Sequence, residues 1–155
     1  MTTPITPRGL AKLHAQLKHL REVERPKNVA DIEEARAHGD LRENAEYHAA
    51  KDRQAEIQGT ITFLETQIAT ATVIDPASLS GSRIVFGATV TLADEHDQVV
   101  VYQIVGEAEA DLAAGLISIS SPLAKSLIGR EVGDEVVVQA PGGRRSYAVE
   151  QIAFK

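Results

Sequence analysis

Asp40 and Glu43 are the residues whose type and spacing are best suited to chemistry in this chain. If Glu43 opens a helix, two carboxylates three positions apart can converge on one point. Such a pair suits a hard divalent cation such as magnesium, which takes oxygen ligands and often borrows only one or two from protein. The same spacing also describes Asp40 as a helix cap with Glu43 as its box partner, and spacing alone leaves both readings open. A second arrangement, His38 with Glu46 and His48, would be a metal centre belonging to the protein itself, but it matches no recurrent zinc spacing. Arg36, Arg42, Lys51 and Arg53 flank the acids and can keep this end from repelling a polyanion. Tyr47 can stack on a base or cover the end of a helical seam.

Two hydrophobic ladders hold this segment between them. Leu10, Leu13, Leu17 and Leu20 recur at heptad a/d spacing, as do Ile57, Ile61, Leu64, Ile68 and Ala71. Paired antiparallel, Leu10 meets Ala71, Leu13 meets Ile68, Leu17 meets Leu64 and Leu20 meets Ile61. All four pairs share one midpoint, between Asp40 and Leu41, so the carboxylates belong at the tip of a long hairpin. Thr6-Pro7 opens the first helix, which runs to about Ala37 with a kink or loosening at Pro26. Val29, Ile32 and Ala35 resume the helical spacing beyond that proline, and Gly39 can end the helix. The second helix runs from about Glu43 to Ala71, and Ala45, Ala49 and Ala50 let the two helices approach closely below the tip. A helix from Pro7 to Ala37 would be a rod of about 45 Å.

The other half reads differently. After a linker from Asp75-Pro76 to Gly81-Ser82, strands are expected at 88–92, 99–105, 116–120, 135–139 and 144–152, with turns at 94–97 and 141–143. Ser121-Pro122 caps a short helix over 123–128. The fold class is therefore α+β: a coiled-coil hairpin over 1–75 and a small, mostly antiparallel sheet domain with one short helix over 83–155. The 155 residues include no cysteine, no apolar run long enough to span a bilayer and no secretory pattern, which makes a cytosolic setting without membrane contact the expectation. A formal charge of −6 argues against general nucleic-acid coating. Its distribution is uneven, with six basic and two acidic residues over 8–27, against six acidic and two basic over 31–46.

Residues 38–50, HGDLRENAEYHAA, resemble the tip motif of the Gre family of bacterial transcript-cleavage factors, on the GreA side of the GreA/GreB divide. Arg8-Gly9, Glu34-Ala35-Arg36, Val73-Ile74-Asp75, Phe86-Gly87-Ala88-Thr89-Val90, Ile104-Val105-Gly106, Ile117-Ser118, Ser121-Pro122, Leu127-Ile128-Gly129 and Pro141-Gly142-Gly143 extend the resemblance over the whole chain. It implies an antiparallel coiled coil followed by a domain similar to FK506-binding proteins. It also implies an accessory factor, not an enzyme: a monomer that docks on bacterial RNA polymerase and enters its secondary channel. There Asp40 and Glu43 would share a magnesium ion with the polymerase, bound by neither partner tightly alone, to hydrolyse the 3′ end of backtracked nascent RNA into short products. Arg36, Asn44 and Tyr47 would support the tip near RNA or polymerase, and Ser120, Ser121 and Pro122 would dock on the polymerase rim. Two alternatives remain. A channel-binding inhibitor of the same superfamily would alter the tip, which is retained here. A prolyl isomerase would need more aromatics than Phe86, Tyr102, Tyr147 and Phe154 in the second half.

Overall fold

The computed structural model describes residues 3–39 and 44–155, which form two compact units: Ala11–Thr70, and Met1–Leu10 together with Ala71–Lys155. The division differs from the one expected at 75 and 83. Strands β1 (Thr3–Ile5) and β2 (Ala71–Val73) pair in parallel, Thr3 with Ala71 and Ile5 with Val73, which places the first ten residues and residues 71–82 in the sheet unit. Ala71 is thus a strand residue and not the last rung of a helix. Three-residue strands are too short to show a period, and a parallel pair leaves no turn between its members. The expected linker begins with a 3₁₀ turn, Pro76–Ser78, in which the Asp75 carboxylate accepts from the Ala77 amide at 3.0 Å and Pro76 is buried.

The Ala11–Thr70 unit is a helical hairpin. Its first arm contains α1 (Pro7–His19, which starts in the other unit), a π-helical segment Leu20–Glu24, and α2 (Arg25–Arg36). The return arm is α3 (Ala45–Ala69), whose 25 residues span about 37 Å. The loosening expected at Pro26 is a wider turn just before it: the Arg25 amide donates five residues back, to the Leu20 carbonyl. Proline lacks a donor and its ring crowds the carbonyl four residues back, and one inserted residue relieves both. His19 Nε2 and Glu24 Oε1, five apart, meet at 3.1 Å across this turn.

The inserted residue shifts the phase of everything after it. Leu13 and Leu17 are buried as expected, Leu20 is half-buried, and beyond the π segment Asn28, Ile32 and Ala35 face inward. Val29, expected on the seam, is 45% exposed, and Asn28 is 5% exposed in its place. Asn28 Nδ2 donates to the Ala50 carbonyl at 2.9 Å, so its polar head is satisfied where it is buried. From α3 the seam takes Ile57, Ile61 and Leu64. Of the three alanines below the tip, Ala50 is half-buried while Ala45 and Ala49 are exposed. Cross-arm contacts run from Arg21–Glu65 (3.1 Å) through Glu24–Arg53 (3.5 Å) to His38–Glu46 (3.0 Å), which is the antiparallel pairing that the ladders require.

In the other unit a five-stranded sheet has the order β5 (Leu116–Ser118), β4 (Val99–Val105), β3 (Thr89–Asp94), β7 (Gly143–Ala153), β6 (Glu135–Ala140). All neighbours are antiparallel except β4 and β5. Alternation decides the buried face: Val90 and Leu92, and Val136 and Val138, point inward. Val90, Leu92 and Val136 meet Ile84, Phe86, Ile104, Ile117 and Val149, and helix α4 (Pro122–Leu127) closes this core with Ala124 and Leu127, both fully buried. The turn after β3 is set by Asp94, whose Oδ1 accepts from the amides of His96 (2.8 Å) and Gln98 (2.9 Å). The Gln98 amide is the largest cause holding the Asp94 carboxyl below its usual pKa; the His96 amide and the charges of His96 and Arg145 add to it.

Candidate functional site

Asp40 and Glu43, with Leu41 and Arg42 between them, lie outside the described residues, and so does the question of whether they converge. Their setting is described on both sides. α2 ends at Arg36, and Gly39 takes φ 111°, a left-handed conformation open to glycine without cost. The chain re-enters helix at Asn44, which is the N-cap: its Oδ1 accepts from the Tyr47 amide at 3.0 Å. The expected start at Glu43 with Asp40 as cap is thereby corrected, because an asparagine one residue later already supplies the oxygen that α3 needs. Asn44 Nδ2 also donates to the Ala35 carbonyl of α2 at 2.6 Å.

The other tip residues divide in two. His38 is paired with Glu46, and Tyr47 is half-buried with its ring edge-on to His48 at 5.7 Å. Arg36 is exposed at the end of α2. Arg53 reaches back to Glu24 and along its own helix to Glu56, and Lys51 donates to Gln54, so these two cations serve the arms as much as the tip. His19 is the largest cause holding the Glu24 carboxyl below its usual pKa, and Arg53 adds to it. Among the described residues no group of three His, Cys, Asp or Glu is placed to hold a metal.

On the sheet unit, Ser120, Ser121 and Pro122 form the turn between β5 and α4. Ser121 Oγ accepts from the Ala124 amide at 3.2 Å and so caps α4, Ser120 Oγ lies 2.8 Å from Ser118 Oγ, and Ser120 and Pro122 are exposed. Ser121 and Pro122 edge a shallow, mainly apolar groove of about 280 Å³ that also takes in Tyr102, Ile117, Leu123, Val138 and Tyr147. Only two of the four aromatics of this half line it, since Phe86 is buried in the core and Phe154 packs against the same cluster.

One residue escaped sequence reasoning altogether. Glu109, 4% exposed, accepts from the amides of Thr6 (3.1 Å) and Gly106 (2.8 Å) and from the Thr6 hydroxyl. Thr6 Oγ1 in turn accepts from the Gly9 amide at 3.0 Å, as expected of the helix cap. The set is a capping box whose acid arrives from far along the chain instead of from the third helical position. It explains two of the motif glycines: a Cβ on Gly9 would stand 2.0 Å from Glu109 Oε1, and one on Gly106 would stand 2.5 Å from the Pro4 carbonyl oxygen. No local pattern announces such an acid.

Comparison with known proteins covers both units. Residues 3–73 match the family model described as transcription elongation factor, N-terminal, and residues 79–154 match transcription elongation factor, GreA/GreB, C-terminal. The transcription elongation factor GreA of Sphingopyxis alaskensis is 59% identical over 97% of this chain and 95% of its own length. Those of Anaeromyxobacter sp. and Xanthomonas axonopodis pv. citri are 55% and 53% identical, over 97% and 99% of this chain and 92% and 99% of theirs. Among solved structures, GreA factor homolog 1 of Thermus thermophilus is 29% identical over 98% of this chain and 99% of its own, with a TM-score of 0.46. By both halves of its sequence, the chain belongs to the GreA/GreB family of transcription elongation factors.

Proposed function

We propose that this elongation factor works as a monomer on bacterial RNA polymerase in the cytoplasm, entering the secondary channel tip first and stimulating cleavage of backtracked nascent RNA. It is an accessory and not itself an enzyme. Asp40 and Glu43 donate carboxylates to a magnesium ion shared with the polymerase active site. Such an ion lowers the pKa of a bound water and stabilises both the attacking and the leaving oxygen of an in-line displacement. The protein's own residues carry and orient the carboxylates, with Arg36 and Tyr47 beside them toward RNA or polymerase, while Ser120, Ser121 and Pro122 dock at the rim.

The observation that carries this reading is the position of the two acids in the chain. They fall in the only four residues between an arm that ends at Gly39 and an arm capped at Asn44, inside a motif that resembles the family's tip. The hairpin is the vehicle. A seam built from Leu13, Leu17, Ile32, Ile57, Ile61 and Leu64 gives it a stiffness that a loop would lack.

The test adds the protein to a stalled, backtracked elongation complex carrying 3′-labelled RNA. Release of labelled dinucleotides or trinucleotides in magnesium is expected, and Asp40→Ala or Glu43→Ala should abolish it while competition with the wild type for polymerase persists. Wild-type cleavage by either variant would end the metal-donor reading.

A further inference from the structure

The Asn44 side chain does more than a cap requires. Capping uses only an acceptor, which serine, threonine or aspartate supplies as well as asparagine. Here the acceptor goes to the Tyr47 amide of α3, and the second end of the same amide donates to the Ala35 carbonyl of α2. One side chain thus occupies an orphan donor at the start of one helix and a carbonyl in the last turn of the other. Ala35 is 3% exposed, so this acceptor is shielded from competing water. A second crossing, His38 Nδ1 to Glu46 Oε2 at 3.0 Å, joins the same two helix ends; both side chains are exposed, so alone it adds little. The chain leaves α2 and enters α3 at points tied to each other through Asn44.

We infer that Asn44 is a positioning residue for the cleavage reaction: its bridge to the Ala35 carbonyl holds the start of α3 against the end of α2, the two chain ends between which Asp40 and Glu43 are carried. The inference rests on the metal-donor reading of Asp40 and Glu43. Glu43 is bonded directly to Asn44, so any slip of the first turn of α3 against α2 moves that carboxylate. A displacement of about 1 Å in a reacting group can lower a rate about a hundredfold. Asn44 acts on the tip from within the hairpin and not as a contact to RNA or polymerase.

The experiment uses the full-length chain with Asn44→Ser, which retains a capping oxygen, removes the bridging donor and adds no charge. Asn44→Asp, of the same shape, is run beside it in case the serine variant melts early. Two readouts are taken. Amide hydrogen exchange of the free protein should accelerate in the segment 38–47 while the arms at 11–34 and 50–68 stay protected. On backtracked complexes the cleavage rate at saturating factor should fall about tenfold or more, with the half-saturating concentration within about twofold of wild type and the magnesium requirement raised. Unchanged exchange overturns the inference, as does a wild-type rate at saturation. A raised half-saturating concentration with an unchanged maximal rate also overturns it, and would make Asn44 a contact to polymerase or RNA. Glu43→Ala separates the two levels: if that variant cleaves normally, the metal-donor reading fails, whereas the exchange result still decides the bridge in the free protein.

Discussion

The phase of the first arm is the most exposed claim about the hairpin, and two adjacent residues test it. A continuous α-helix would carry the heptad steps of Leu13, Leu17 and Leu20 on to Glu24, Lys27, Asp31 and Glu34, whereas the π turn at Leu20–Glu24 moves the seam one residue on, to Asn28, Ile32 and Ala35, and leaves Val29 outside it. If Val29 lay on the seam, Val29→Ser would remove the equivalent of about two methylenes at ~0.8 kcal/mol each and bury a hydroxyl, about 3 kcal/mol in all. At 45% exposure it should instead cost about 0.5 kcal/mol or less. Asn28→Ala should cost about 1 to 2 kcal/mol, from the lost bond to the Ala50 carbonyl and the space left beside it. Ile61→Ala supplies the scale: Ile61 is 2% exposed, and truncation should cost about 2 to 3 kcal/mol, the lower part of the usual range because a two-helix seam can collapse around a gap. Urea unfolding followed by far-UV circular dichroism measures all three. The expected order is Ile61→Ala, then Asn28→Ala, then Val29→Ser. If Val29→Ser were costlier than Asn28→Ala, Val29 and not Asn28 would face α3 in solution and the phase assigned here would be wrong.

Three further outcomes are expected. Glu109→Ala should destabilise the sheet unit by about 3 kcal/mol or more, because three buried donors lose a charged acceptor, and a loss under about 1 kcal/mol in urea melts would remove the box from the account. Replacing Ser121 and Pro122 together by alanine should raise the factor concentration needed for half-maximal cleavage and leave the rate at saturation unchanged; an unshifted concentration dependence would move docking elsewhere. Folding favours the ionised form of Asp94, so its contribution is complete above the usual carboxylate range and is lost as pH falls through the lowered native value. The urea midpoint should therefore decline on acidification below about pH 4, and less steeply in Asp94→Asn; parallel acid profiles would refute the linkage.

What the sequence revealed depended on how locally each feature is encoded. Strand β4 was read at its observed bounds, and the Asp94 turn and the Ser121-Pro122 cap were recognised, because alternation, turn chemistry and capping act over a few residues. The seam was legible from Leu13 to Leu17 and from Ile57 to Leu64 for the same reason. Beyond Leu20 the expected spacing held at Ile32 and Ala35 and missed at Val29, where Asn28 is buried instead: Pro26 announces a disturbance, but whether the helix kinks or inserts a residue is decided by which face can be buried against α3. Pairing between remote segments left still less trace. β1 with β2, and Glu109 with Thr6, bring together residues that share no turn and no repeat. The candidate site falls between these cases. A fold-back between Gly39 and Asn44 follows from the spacing of the ladders, whereas the double use of Asn44 follows only from the approach of α2 and α3.

The π turn and the Asn44 bridge are linked through that approach. A helix turns about 100° per residue, so one inserted residue rotates by that angle the face that every later residue of the arm presents. Without the insertion, Ile32 and Ala35 would turn away from α3, and the Ala35 carbonyl would lose its alignment with Asn44. The end of α2 is thus oriented by a device some ten residues upstream, held by the His19–Glu24 pair across the wide turn and by Arg53 reaching Glu24 from the other arm. A variant with Glu22 deleted tests the dependence, since one residue fewer between Leu20 and Arg25 removes the insertion while keeping Ile32 and Ala35 in phase with Leu17. It should retain helical content and competition for polymerase. Pro26 would then sit in an ordinary α-turn, where a proline costs about 3 kcal/mol, so the unfolding midpoint should drop. If the midpoint held or rose, Pro26 would not be the reason for the wide turn.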